Sequence, residues 1–227
     1  MSARDADHPH PKTRSTAQNK GEITPPAESG FDTVLHAAMQ LFAEHGYQAT
    51  SMKNIAEKLD IQAPSLYHYV SSKQEVLQHI MFRSMETLLA KQRSSLDPAH
   101  DVRDALRHAT QAHALFHAHH RAEAFIGNRE IRSLDPPARA RLVAMRDTYE
   151  EGFRSIVERG YREGIFEVKT IQITTYAILE MGIGISSWFS PDGPLSADEV
   201  AEVYADLALR LVGSASPEGD RHSLAGQ

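Results

Sequence analysis

The chain has 227 residues, 41% of them hydrophobic, with a formal net charge of −6 and no cysteine. That length and apolar content suffice for one large or two smaller packed domains, and the missing cysteines exclude disulfides, thiolate catalysis and cysteine-based zinc sites. No apolar run reaches the roughly 18 residues of a membrane span, and residues 1–29 lack the apolar core of a signal peptide, so no membrane partner and a cytoplasmic location are expected.

Residues 1–29 are rich in Pro, Ser, Thr and charge without apolar periodicity, and they read as a disordered arm. Two roles fit it: an inert tail, or a mobile arm whose Arg4, Lys12, Arg14 and Lys20 reach an adjacent DNA groove. An amphipathic helix follows, up to Gly46-Tyr47. Thr50 or Ser51 then caps a short helix in which Met52, Ile55, Ala56 and Leu59 share one face and Lys53, Glu57 and Lys58 are left to solvent. Asp60-Ile61 breaks the pattern. Pro64 suits the first turn of a second short helix, where its missing N–H would have no intrahelical partner anyway. That helix is expected over residues 65–70 and presents Ser65, Tyr67, His68 and Tyr69, groups that contact nucleic acid. Two helices this short cannot bury a core alone. Their size suits a helix-turn-helix whose second member enters the DNA major groove.

Ser71 and Ser72 stand at capping-box spacing from Gln74 and Glu75 and open a helix that runs into the 80s or 90s. Asp97-Pro98 and Asp101 restart the chain for a helix to about His119. Another is expected over residues 121–134, and Asp135-Pro136-Pro137 opens a long one to about Gly160. Residues 170–189 form a nearly uniformly apolar helix. Ser196 caps the last, with Glu199 at its third position and Leu195 opposite Val200 as a hydrophobic staple. No strand alternation and no internal repeat occur. The expected fold is all-α with about nine helices: a helix-turn-helix domain over 30–78, a helical effector-binding and dimerisation domain over 79–213, and a flexible tail over 214–227.

The ordered set Ala38-x-x-Leu41-Phe42-x-x-x-Gly46-Tyr47, Thr50-Ser51-x-x-x-Ile55-Ala56, Leu66-Tyr67-x-Tyr69 and Lys73-x-x-Val76-Leu77 resembles the TetR family of one-component transcriptional regulators. The resemblance implies that Thr50, Lys53, Tyr67, Tyr69 and Lys73 touch phosphates of a double-stranded, near-palindromic operator. It also implies that Gln62, Ala63, Ser65 and His68 face the groove, with Gln62 and His68 reading bases. Gln62 and Pro64 stand where the family commonly has a small polar cap or Gly, and Val70 replaces an aromatic, so no operator sequence carries over. The charge is unusual for a DNA binder: residues 31–80 hold three lysines against five acids, a formal −2. Helix N-termini can substitute by offering backbone N–H groups to phosphates, giving modest non-specific affinity that leans on geometry and dimerisation.

A helix apolar almost all round must be buried on more than one side. The segment 171–189 and the stripe Val200, Val203, Tyr204, Leu207, Ala208 and Leu211 therefore call for a homodimer through a four-helix bundle, as the resemblance also implies; an intrachain core is the alternative. Helices between 101 and 160 would then enclose the effector. Arg129, Arg132 and Arg146, with Asn128, lie beside an apolar stripe that includes Phe125, Met145, Tyr149 and Phe153, and a buried guanidinium is costly unless paired. Salt bridges to Glu130, Asp147 or Glu150 would satisfy these arginines. So would an anionic effector head group, which arginine binds bidentately. Residues 128–134, 145–154 and 188–196 resemble one TetR branch, the acyl-CoA-responsive repressors of steroid-ring, fatty-acid and phenylacetate catabolic operons. The resemblance implies a ligand with an apolar moiety and a phosphate-bearing handle, touching Met181 and Trp188 as well.

Thirteen histidines raise a metal reading. His113, His117 and His120 share a helix face, with His119 and Glu123 nearby, and imidazoles one turn apart can share zinc. An exposed polar face is the expected outcome, because no second element supplies ligands, and neither metal nor cofactor is assigned. An all-α enzyme is disfavoured by the lack of a thiol nucleophile, of G-x-S-x-G, of a phosphate-cradling loop and of H-E-x-x-H. A helical adaptor that does not bind DNA is the third class.

Overall fold

The computed structural model describes residues 30–213; both the N-terminal arm and the C-terminal tail of the sequence reading lie outside them. The described residues form nine α-helices and one 3-10 turn. The helix-turn-helix domain contains α1 (Gly30–His45), α2 (Met52–Lys58) and α3 (Ala63–Leu66), followed by α4 (Lys73–Leu96), which runs on into the second half. Beyond it come α5 (Val102–His119), α6 (Arg121–Arg129), a 3-10 turn (Ile131–Ser133), α7 (Pro136–Arg162), α8 (Ile171–Trp188) and α9 (Ala197–Leu211). The segment expected as one helix over 121–134 is thus α6 plus a separate tighter turn.

Local chemistry sets the boundaries. Gly46 ends α1 in the left-handed region at φ 84°, where a missing Cβ removes the steric penalty. Ser51 caps α2: its hydroxyl accepts from the Asn54 N–H, and the Asn54 side chain returns to the Ser51 N–H at 2.9 Å. Asp60 takes φ 54°, a conformation that short polar side chains tolerate better than most. Asp101, Asp135 and Ser196 cap α5, α7 and α9 through their side-chain oxygens. Glu199 completes the expected box, whereas Leu195 remains 46% exposed.

One apolar cluster runs from Val34 in α1 to Val212 after α9, so the two halves share a core. Helix α5 is its axis and packs against α4, α6, α7, α8 and α9. Its contact with α9 is made of small residues, Ala114 and Ala118 against Ala197 and Ala201, which lets the two backbones approach closely. Arg107 fastens the same pair of helices by bonding Asp206 at 2.6 Å.

This packing overturns one sequence expectation. His113 and His117 do not lie on an exposed face; they are 2% and 4% exposed. A helix surrounded by five others has little surface to spare. The absence of any lysine or acid between Asp104 and Glu123 was the signal for it.

Candidate functional site

The helix-turn-helix presents its polar side chains from a small anchored unit. Helix α3 is a single turn, shorter than the expected 65–70 segment. The chain then tightens, with the Tyr69 and Val70 N–H groups both donating to the Leu66 carbonyl. Leu66 and Val70 are fully buried and fix the orientation of this turn; burying a side chain of that size contributes about 1.5–3 kcal/mol. The replacement of an aromatic by Val70 is therefore absorbed in the core. Gln62 precedes α3 without making a side-chain cap bond. Gln62, Ser65, Tyr67 and His68 are exposed, Ala63 is half-buried, and the Tyr69 ring covers Gly30, where a Cβ would come within 2.5 Å of it. On α2, Lys53 is exposed and 3.5 Å from Glu57.

Two residues expected at phosphates are committed elsewhere. Thr50 is buried, and its hydroxyl donates to the Gly46 carbonyl at 2.9 Å. The cap is Ser51, and Thr50 closes the α1–α2 loop from inside. Lys73 directs its ammonium at the Tyr47, Thr50 and Gln48 carbonyls, at 2.9, 2.7 and 3.5 Å, and lies 4.3 Å over the Tyr47 ring. Burial lowers its pKa, while the charge of Glu130 acts the other way. An ammonium has three N–H donors, and three carbonyls face them. The structure thus makes Lys73 a staple between the loop and α4.

In the second half a cavity of about 30 Å³ opens among α4, α5, α6 and α7. Its wall includes Met81, Phe116, His117, Asn128, Leu142 and Arg146. The Arg146 guanidinium donates to the Gly127 carbonyl at 2.7 Å, and burial lowers its pKa against the charge of Glu180. Arg129 lies 4.4 Å over the Phe125 ring, and Arg132 is exposed in the 3-10 turn. Two of the three expected acidic partners are engaged elsewhere: Glu130 accepts from Ser133, and Glu150 pairs with Arg154 at 2.6 Å.

Several residues grouped with the ligand by sequence do not reach this cavity. Tyr149 is buried with its hydroxyl bonded to His113 Nδ1 at 2.9 Å, and Phe153 is fully buried beside it. Phe125, Met145 and Met181 also lie off the wall. Trp188 is 52% exposed at the end of α8 and stacks on Tyr204. Conversely, sequence reading passed over His117, Glu123 and the methionines Met81 and Met85 as cavity residues. Among the described residues no group of three or more His, Asp or Glu side chains is placed to hold a metal ion.

The cavity and the DNA-binding half are mechanically adjacent. The turn after α6 reaches α1–α2, where Gln48 donates to Ser133 at 3.3 Å. Asp135, the cap of α7, accepts from Gln78 of α4 at 2.8 Å. Arg83 of α4 binds Asp32 of α1. Along the far side, α8 and α9 leave Ile173, Tyr176, Trp188, Val203, Leu207 and Leu211 exposed. None of the described helices is long and apolar enough to cross a membrane.

Comparison with known proteins accounts for both halves. Residues 34–80 match the model of bacterial regulatory proteins of the tetR family, and residues 99–212 match the tetracyclin repressor-like C-terminal domain. The HTH-type transcriptional repressor KstR2 of Rhodococcus jostii (strain RHA1) is 30% identical over 205 residues, covering 86% of this chain and 99% of the repressor. A bacterial regulatory protein of the tetR family from Rhodococcus RHA1 superposes with a TM-score of 0.78 at 31% identity, covering 83% of this chain and all of that one. AibR, solved with isovaleryl coenzyme A and operator DNA, has a TM-score of 0.72 at 22% identity, covering 82% and 99%, a likeness of fold. With a capped helix-turn-helix joined to a matching C-terminal domain, this chain belongs to the TetR family of DNA-binding transcriptional regulators and is not an enzyme.

Proposed function

We propose that the protein is a repressor that binds a near-palindromic operator as a two-fold dimer and is released by an acyl-CoA or a related apolar anionic metabolite. The observation that carries this reading is the position of the cavity. Its wall includes Asn128 of α6 and Arg146 of α7, and the segment that joins these helices makes hydrogen bonds to the DNA-binding half through Ser133 and Asp135. A space of about 30 Å³ takes a water or two and no acyl chain. An effector must therefore move α6 or α7 to enter, and such movement is passed to α1 and α4. The ligand-bound shape is favoured because the ligand binds it more tightly than the DNA-bound one; a coupling of about 1–3 kcal/mol changes operator affinity roughly 5–150-fold.

The other assignments follow from this frame. Lys53, Tyr67 and Tyr69 contact phosphates, Gln62, Ser65 and His68 meet base edges, and Ala63 packs beside them. Arg129 and Arg132, exposed beside the cavity, serve the phosphates of a CoA handle. The exposed stripe on α8 and α9 is the dimer face, which spaces two recognition turns about 34–36 Å apart or a multiple of it. Support for the effector class and for repression comes from KstR2, a transcriptional repressor, and from AibR, which was solved with isovaleryl coenzyme A and operator DNA. The test is operator release titrated against a panel of acyl-CoA thioesters and their free acids. Thioesters should release the operator at lower concentration. Equal potency of acid and thioester removes the CoA handle, and inertness of the whole panel removes the ligand class.

A further inference from the structure

Two buried histidines one turn apart on α5 have opposite hydrogen-bonding states. His113 is satisfied at both ring nitrogens: Nδ1 meets the Tyr149 hydroxyl at 2.9 Å, and Nε2 meets the Leu179 carbonyl at 3.0 Å. A carbonyl can only accept, so Nε2 carries the proton and Nδ1 accepts from the tyrosine. His113 also fills the space over Gly182, where a Cβ would come within 2.1 Å of its ring. It is a structural tie between α5, α7 and α8.

His117 is 4% exposed, and its Nδ1 has no hydrogen-bond partner. Its ring stands edge-on to His113 at 4.5 Å and to Phe116 at 5.4 Å, neither of which can satisfy it in the plane of the ring. Burial, aided by His113 and His120, pushes its pKa down to about 2. It is therefore a neutral imidazole with one donor and one acceptor. Leaving one nitrogen of such a ring unpaired in a core is costly, and a leucine would fill the position without that cost. His117 lies on the cavity wall together with Ser84, Glu123, Asn128 and Arg146. Polar groups from α4, α5, α6 and α7 thus share the wall with Met81, Met85, Leu88, Phe116 and Leu142.

We propose that His117 is a specificity-determining residue of the effector cavity, taking a hydrogen bond with a hydroxyl or keto oxygen on the effector's carbon skeleton. The cognate ligand is then an oxygenated apolar acyl group, not a plain hydrocarbon chain. This rests on the reading above that the effector enters this cavity, and it adds a chemical requirement inside the pocket that is independent of the CoA handle outside it.

The experiment compares matched pairs by calorimetric binding to the full chain. The probes are hexanoyl-CoA with its hydroxy and oxo derivatives, cyclohexanecarbonyl-CoA with its oxo derivative, and the corresponding free acids. The oxygenated member should bind roughly three- to tenfold more tightly, the span of one net hydrogen bond. In His117→Leu that preference should disappear, and in His117→Asn, which keeps a donor and an acceptor, part of it should return. Thermal melts establish that each variant is folded. Equal binding of both members by the wild type, or a preference that survives His117→Leu, overturns the proposal while leaving the effector reading intact. Preference seen among free acids but no added affinity from CoA leaves His117 assigned and removes the handle. If none of the probes binds, both readings fall.

Discussion

In the DNA-binding half, the exposed Lys53, Gln62, Ser65 and His68 come from α2, from α3 and from the residues on either side of α3. In the effector half, the cavity draws Met81 from α4, His117 from α5, Asn128 from α6 and Arg146 from α7. The first arrangement depends on caps, a left-handed turn and two buried anchors, all local. The second depends on four helices packing at a particular distance. A surface built locally keeps its shape when the rest of the molecule moves, whereas a cavity built between helices changes whenever they do. That asymmetry is what a ligand-operated switch requires, and the bridges at Ser133 and Asp135 connect its two parts.

The largest effect expected from this division is a change far from DNA that removes DNA binding. Leu207→Glu places a charge on the exposed stripe of α9, 39% exposed at that position, and leaves the recognition turn untouched. Burying an unpaired carboxylate at a dimer face is strongly unfavourable. Loss of the dimer removes the gain from engaging two half-sites at once, on the order of a hundredfold or more. Sedimentation and operator gel shifts should report a monomer and lost binding together. A monomer with full affinity breaks the proposal that the two halves act through dimerisation.

Acid sensitivity should divide the halves next. The described histidines of the DNA-binding half, His36, His45, His68 and His79, are exposed or half-buried, whereas His113 and His117 are buried. Burial lowers the pKa of these two from 6.5 to about 4 and about 2. Between the unfolded and folded values the unfolded chain binds a proton at each position and the folded chain does not. Stability is complete above pH 6.5 and is lost as the pH falls below it. From pH 7 to 5 each histidine should cost roughly 2 kcal/mol. Urea denaturation at the two pH values measures the sum, and His117→Leu should abolish about half of the difference. A pH-independent midpoint would show that these histidines are not held neutral.

The same local-versus-assembled distinction explains what could be read from the sequence. The caps at Ser51, Asp101, Asp135 and Ser196, the break at Asp60 and the order of the helices are written in residues a few positions apart, so they were legible. The helix-turn-helix motif was legible for the same reason. The cavity was not. Arg146 and Asn128 stood out because charged and polar groups beside an apolar stripe are unusual, yet Tyr149 and Phe153 of that stripe are core. Nothing local reveals that Tyr149 spends its hydroxyl on a histidine 36 residues away. Lys73 and Thr50 failed in a related way. Both sit where a phosphate contact is expected from the motif, but each is turned inward onto carbonyls of the α1–α2 loop.

The smallest effect separates two lysines that look equivalent in the motif. Lys53 is exposed on α2, whereas the Lys73 ammonium faces three carbonyls of the α1–α2 loop. A lysine at a phosphate releases about one counterion when it binds, so Lys53→Ala should flatten the dependence of log affinity on log salt by about one unit and weaken all sequences alike. Lys73→Ala should leave that slope unchanged. It should instead lower stability by about 1.5–3 kcal/mol, the range for hydrogen bonds to a charged group, because the Thr50 and Tyr47 carbonyls lose the ammonium and Tyr47 keeps only the Thr50 N–H. Operator affinity should then fall only as far as the loosened loop misplaces α2. Measuring salt slope and urea midpoint for both variants separates the two roles. If Lys73→Ala flattened the slope with an unshifted midpoint, its ammonium would have to leave the loop when DNA arrives, and the DNA-binding half would be less rigid than its caps and anchors imply.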